Sequence, residues 1–187
     1  MIRDAAATRA RLLSAARAEF ATHGIAGARV DRIATNAESN KAQIYHYFGS
    51  KEKLFDAVLT DIVDSTAATL PIDVDDLPGY AAKLVARYAK YPDIKRLATW
   101  HRLERGNAPL VDAVLGSSRH KVDEIARAQA DGRLTRRYPP AVLLALVLQL
   151  AAVWTDLTDE LSAVADLPGP RKRASLVREA VTALLSD

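Results

Sequence analysis

The chain has 187 residues, 49% of them hydrophobic and 26% charged, with no cysteine and a net charge of +3. That composition supports a buried core and excludes a disordered chain, while the absence of cysteine excludes a disulfide framework and any thiolate nucleophile or metal ligand. The charge is uneven: residues 1–52 hold eight basic and five acidic side chains, whereas the remainder carries 18 of each. The excess positive charge therefore belongs to one end, for which a polyanion is the natural partner.

In chain order, residues 1–7 read as a loose arm from which Arg3 and Arg9 reach toward phosphates. Acidic Asp4 and the lack of an apolar run in MIRDAAATRARLL predict no secretory signal. Thr8 is placed to cap a first helix that runs to about His23 and stops at Gly24, with Leu12, Leu13, Ala16 and Phe20 facing inward. Arg9, Arg11 and Arg17 read as its solvated face. Val30, Ile33, Ala34 and Ala37 recur at i, i+3, i+4 and i+7 and predict a second helix. Asn40 suits the N-cap of a third, short helix with Ile44, Tyr45 and Phe48 inward and Gly49 as its left-handed stop. Ser50 then caps a fourth helix from Lys51 to about Thr69, whose Leu54, Phe55, Val58 and Ile62 share one face. Two short helices joined by a tight turn form a helix-turn-helix, in which the first braces and the second enters the major groove of DNA. Lys41 can reach a phosphate or guanine O6/N7, and Gln43 has the amide geometry for adenine N6/N7. Asn40 leaves free N–H groups at the helix start for a phosphate, and Arg29 and Arg32 are phosphate candidates on the bracing helix.

This stretch resembles the N-terminal domain of TetR-type bacterial transcriptional regulators. The resemblance rests on Leu13, Ala16, Phe20 and Gly24, on Val30, Ile33, Ala34 and Ala37, and on Lys41, Ile44, Tyr45, His46, Phe48, the run Ser50-Lys51-Glu52 and Leu54. Three positions depart from the family pattern: Glu38 replaces the usual turn Gly, Ser39 replaces a frequent Val, and no Ser or Thr stands at Ala28-Arg29 to cap the second helix. The resemblance implies backbone-phosphate contacts for Tyr45 and Lys51 and a groove-facing His46. It also implies a helical bundle after the fourth helix that holds a small-molecule pocket, and a homodimer through the last two helices.

Beyond residue 69, LPIDVDDLPGY reads as an acidic loop, with Asp73, Asp75 and Asp76 solvated rather than metal-bound. Amphipathic helices follow over Tyr80–Lys90, Asp93–Arg105 and Pro109 to about Ala130, then a basic connector, GRLTRRYPP. Ala141 to Trp154 is apolar all round except at Gln149, yet shorter than a membrane-spanning helix. Such a helix must be covered on every side, by its own core and by a partner subunit. After Leu167-Pro168-Gly169-Pro170, Arg171 to Leu185 forms a last amphipathic helix. The expected architecture is all-α: a three-helix helix-turn-helix domain over 1–52 and a ligand-binding and dimerisation bundle over 53–187.

Nothing in the chain builds an enzyme. His23, His46, His101 and His120 are scattered without a nucleophile elbow, no glycine-rich phosphate loop exists, and no cofactor or metal ligand set is spaced for binding. Tyr88, Trp100, His101 and Trp154 are, by residue type, the candidates to line the pocket that the resemblance implies. The reading is a cytoplasmic homodimeric regulator, a repressor released from a palindromic operator when a small effector moves the fourth helix. The partner helices of the dimer are expected over about 140–165 and 171–185. The alternatives are a constitutive DNA-binding dimer and, from another class, a small helical-bundle enzyme.

Overall fold

The computed structural model describes residues 2–106, 111–164 and 166–186, with side chains from Ala5 onward. Among the described residues the chain forms ten helices and no strand: α1 (Ile2–Gly27), α2 (Val30–Asn36), α3 (Lys41–Phe48), α4 (Lys51–Thr69), α5 (Leu77–Lys90), α6 (Asp93–Glu104), α7 (Asp112–Ala130), α8 (Pro140–Ala152), α9 (Asp159–Val164) and α10 (Pro170–Leu185). The all-α expectation holds. By packing, the helices divide into two compact units, residues 1–65 with 93–114, and residues 66–92 with 115–187.

The first unit is built around Phe20 and Phe55, whose rings meet edge to face with centroids 5.2 Å apart. Leu12, Ala16, Ile33, Ile44, Leu54 and Val58 complete its buried core, and Leu97 of α6 belongs to the same cluster. The unit is larger than the helix-turn-helix segment because α6 lies on α1. Polar ties hold it there: Arg17 of α1 pairs with Asp93, Arg105 pairs with Asp56 of α4, and the Trp100 indole donates to the Ala21 carbonyl at 3.3 Å.

Helix α1 differs from expectation at both ends. It begins at Ile2 rather than after a cap at Thr8, because Ala5, Ala6 and Ala7 are the strongest helix formers and extend it without a cap. Thr8 is buried, and its hydroxyl accepts from Arg11 instead. The side chain of Arg3 lies outside the described residues. At the other end the helical path breaks at Gly24, which has φ 69° and ψ −175°, before a last short turn to Gly27. The three arginines read as solvated all have partners. Arg9 lies 5.4 Å over the Phe48 ring, Arg11 donates to the Ala37 carbonyl, and Arg17 pairs with Asp93.

In the second unit α5 packs on α8 and α10. Tyr80, Leu84, Ile125, Leu143, Val147 and Val181 are its buried centre. Helix α5 starts at Leu77, three residues earlier than expected, because the Asp76 carboxylate accepts from the Gly79 N–H and caps it. Burial pushes the Tyr80 phenol up to about 12, so it stays neutral. The connector 132–139 is tied down by buried Gln129, whose amide donates to the Thr135 and Tyr138 carbonyls at 2.7 and 2.9 Å. The helix expected over about 140–165 stops at Ala152; within α8 the side chains of Leu143, Leu144 and Val147 are buried, while Val142 and, just past the helix end, Val153 are 45% and 40% exposed in the single chain. The short helix α9, unforeseen in the sequence, buries no residue. Pro109, expected to open α7, lies outside the described residues. No described helix is long and apolar enough to cross a membrane.

Candidate nucleic-acid interface

The turn between α2 and α3 is closed by a paired carbonyl-capping motif. The Ser39 N–H donates to the Ala34 carbonyl at 2.9 Å and the Glu38 N–H to the Thr35 carbonyl at 3.1 Å. This geometry requires a left-handed residue after the cap, and Glu38 takes it with φ 49°. The turn is therefore the one a glycine would make, formed here by a residue with a Cβ. The left-handed conformation costs a non-glycine residue roughly 1–2 kcal/mol, whereas glycine loses roughly 0.5–1 kcal/mol of chain entropy. Glu38→Gly is accordingly expected to stabilise the protein by about 0.5–1 kcal/mol in denaturant unfolding. A destabilised variant would show that the Glu38 side chain contributes more than its backbone strain costs.

Helix α3 begins at Asn40, whose side-chain oxygen accepts from the Gln43 N–H at 2.9 Å, and stops at Gly49, whose N–H donates to the Tyr45 carbonyl. Ile44 and Phe48 are buried. Tyr45, expected inward with them, is 45% exposed, since its position on α3 places it beside Lys41 and away from the Ile44–Phe48 stripe. Lys41, Gln43, Tyr45 and His46 thus form one open face. The Ser39 hydroxyl donates to the Gln43 side-chain oxygen and holds the amide at the head of the helix. Lys41 pairs with Asp31 of α2 at 3.3 Å. Both groups are exposed, so DNA phosphate can displace that pair at little cost.

Arg29, Arg32 and Lys51 sit at the junction from α1 to α2, and the structure gives two of them internal partners. Glu19 is the centre. Its carboxylate, 5% exposed, accepts from the Arg29 N–H and from Arg32 Nε, both at 2.8 Å. Burial opposes its ionisation, but the Arg32 guanidinium and the Arg29 N–H outweigh burial and hold the carboxyl below its usual range. The Lys51 ammonium donates to the Ala26 and Ala28 carbonyls at 3.2 and 3.3 Å. From the other side, Glu104 of α6 accepts from the Ile25 and Ala26 N–H groups at 2.7 and 2.8 Å. Only the Arg29 side chain, on the open surface, makes no hydrogen bond or ion pair with the described residues.

The four residues that residue type nominates for a pocket divide between the two units. Trp100 and His101 belong to the first unit, where His101 stacks on Phe55 with centroids 6.2 Å apart. Tyr88 and Trp154 belong to the second unit, and Trp154 lines a cleft there.

The match to known proteins covers both halves of the chain. Residues 12–58 match the profile described as "Bacterial regulatory proteins, tetR family", and residues 76–183 match "Tetracyclin repressor-like, C-terminal domain". The chain belongs to the TetR family of transcriptional regulators. It is 40% identical over 151 residues to the HTH-type transcriptional repressor SCO4008 of Streptomyces coelicolor, covering 80% of this chain and 79% of that protein. The HTH-type transcriptional repressor NicS of Pseudomonas putida is 38% identical over 106 residues, 53% of this chain and 50% of its own. Among solved structures, the transcriptional regulator SCO4942 of Streptomyces coelicolor superposes with a TM-score of 0.83 at 39% identity, covering 95% of this chain and 97% of that one. As a TetR-family member the protein is a DNA-binding transcriptional regulator and not an enzyme. The family signature is legible over 13–54, and Glu38, where the family usually has Gly, takes the left-handed conformation itself.

Proposed function

We propose that the protein is a homodimeric repressor that holds a palindromic operator and is released from it by a small-molecule effector. The open face of α3 carries the reading. Lys41, Gln43, Tyr45 and His46 project from a helix that is capped and anchored at both ends, which is what base and phosphate contact requires. Asn40 directs the helix start at a phosphate, and Arg29 adds a phosphate contact from the bracing side. Arg32 and Lys51 act from the scaffold: they hold the junction that aims α3, and their remaining N–H groups face the same phosphate backbone. Residues 1–52 do the reading and 53–187 bind effector and partner. Two apolar positions left open, Val142 on α8 and Val153 just after its end, support pairing through α8 and α10, within the segments 140–165 and 171–185. The effector must bind the DNA-incompetent arrangement more tightly than the competent one, or it shifts nothing. Such a regulator works in the cytoplasm, on the chromosome.

Selection of bound duplexes from a random DNA pool, on protein of known mass in solution, tests the reading. A palindromic consensus bound by a dimer supports it, with half-sites roughly one helical turn apart or a multiple of that. No enrichment at low salt by a folded dimer overturns it. On that consensus, Gln43→Ala is expected to relax preference at one position per half-site, by about 1–3 kcal/mol of discrimination. Lys41→Ala is expected to weaken all sequences alike and to reduce the salt slope by about 1.

A further inference from the structure

The second unit contains a cleft of about 290 Å³, at the small end of the roughly 300–1,000 Å³ typical of ligand pockets. Its walls are apolar, from Val85, Ala86 and Ala89 of α5 and the indole of Trp154, and its charged groups are Arg171 and Arg173 at the start of α10. No carboxylate among the described residues lines it. Arg173 is fixed in place, its Nε donating to the Pro168 carbonyl at 2.7 Å and its guanidinium lying 5.4 Å over the Trp154 ring. Arg171 is exposed and makes no hydrogen bond or ion pair with the described residues. The Trp154 indole N–H is buried and has no acceptor among them.

A buried donor without an acceptor is costly for a folded protein, and a ligand oxygen that reaches it removes that cost. Two guanidiniums in an otherwise apolar cleft repel a cation and leave an uncharged apolar molecule without its best interaction. An anion with an apolar body meets every feature at once. Its body covers the alanine, valine and indole walls, and its head faces the two arginines beside the Trp154 indole. We propose that this cleft binds a small amphiphilic carboxylate, one acidic head on an acyl or aryl body. The proposal deepens the effector reading above by naming the effector's chemistry and its seat between α5, α8 and α10.

The test uses the whole 187-residue chain, ¹⁵N-labelled, and two probes of matched length, octanoate and octan-1-ol. The chain has two tryptophans and so two indole N–H resonances, assigned with Trp154→Phe. The Trp100 indole already donates to the Ala21 carbonyl and serves as the internal control. Octanoate is expected to shift the Trp154 resonance saturably and leave that of Trp100 in place, with the alcohol binding about tenfold more weakly or worse. Arg171→Ala, at an exposed position that does not threaten folding, is expected to lower octanoate affinity by about tenfold. The proposal is overturned by an unmoved Trp154 resonance, by equal affinity for acid and alcohol, or by an Arg171→Ala variant that binds as wild type. Binding is read without DNA, so an empty cleft leaves the operator reading standing, and failure to select an operator leaves the cleft standing.

Discussion

Gly24→Ala is expected to destabilise the first unit by about 2–6 kcal/mol, the sum of two penalties of roughly 1–3 kcal/mol each, one for backbone strain and one for overpacking. The backbone there has φ 69° and ψ −175°, a region essentially confined to glycine. A Cβ on Gly24 would also stand 2.9 Å from Trp100 Cε3 and closer still to the Glu104 carboxylate. Those are the two side chains through which α6 holds the end of α1, so relief of the clash dislodges the Ile25 and Ala26 hydrogen bonds as well. The control is Gly27→Ala, three residues on, where a Cβ meets only an ordinary contact with His23 at 3.5 Å; it should be near neutral. Because two units need not unfold together, the transition is best followed by Trp100 emission in a Trp154→Phe background. A Gly24→Ala midpoint equal to wild type in denaturant would contradict the account of the α1–α6 junction.

Glu19→Ala is the second large effect, about 2–4 kcal/mol, because the substitution removes a buried carboxylate that satisfies the Arg29 N–H and two donors of Arg32. The Arg32 side chain is 41% exposed, so its charge returns partly to water, and the loss stays below that of a fully buried pair. The same carboxylate sets an acid limit. Its folded pKa lies below the ordinary 4.5, so its contribution is complete above that value and is lost as pH falls through the folded pKa. Wild type should therefore lose stability below about pH 4.5 more steeply than Glu19→Ala does. Parallel acid profiles for the two proteins would remove Glu19 from the explanation.

The helix-turn-helix was readable because its signals are local. Apolar periodicity, the Asn40 and Ser50 caps and the Gly49 stop lie within a few residues of what they control, and each acts as expected. What the sequence hid were partnerships between distant positions. Arg32, a phosphate candidate, and Lys51, a phosphate contact as the resemblance implies, carry no local sign that Glu19 and the carbonyls of Ala26 and Ala28 also engage them. One cue was available: Glu19 falls three residues after Ala16 and seven after Leu12, on the inner face of α1, where a carboxylate must find donors. The amphipathic pattern of α6 does not say which helices it meets, so residue type alone points Trp100 and His101 at a pocket, while the structure ties the Trp100 indole to the Ala21 carbonyl and stacks His101 on Phe55. Helix α9 escaped notice for a simpler reason: six residues with no buried side chain carry no periodic signal.

The first unit takes its residues from two stretches, 1–65 and 93–114. During synthesis the helix-turn-helix emerges from the ribosome well before Leu97, which completes its core cluster, His101, which stacks on Phe55, and Glu104, which ties down Ile25 and Ala26. Until α6 follows, the nascent segment exposes part of its own core to chaperones and proteases. A fragment ending before residue 93 is in the same state permanently, so the shortest DNA-reading piece of this chain that keeps its core covered extends through α6.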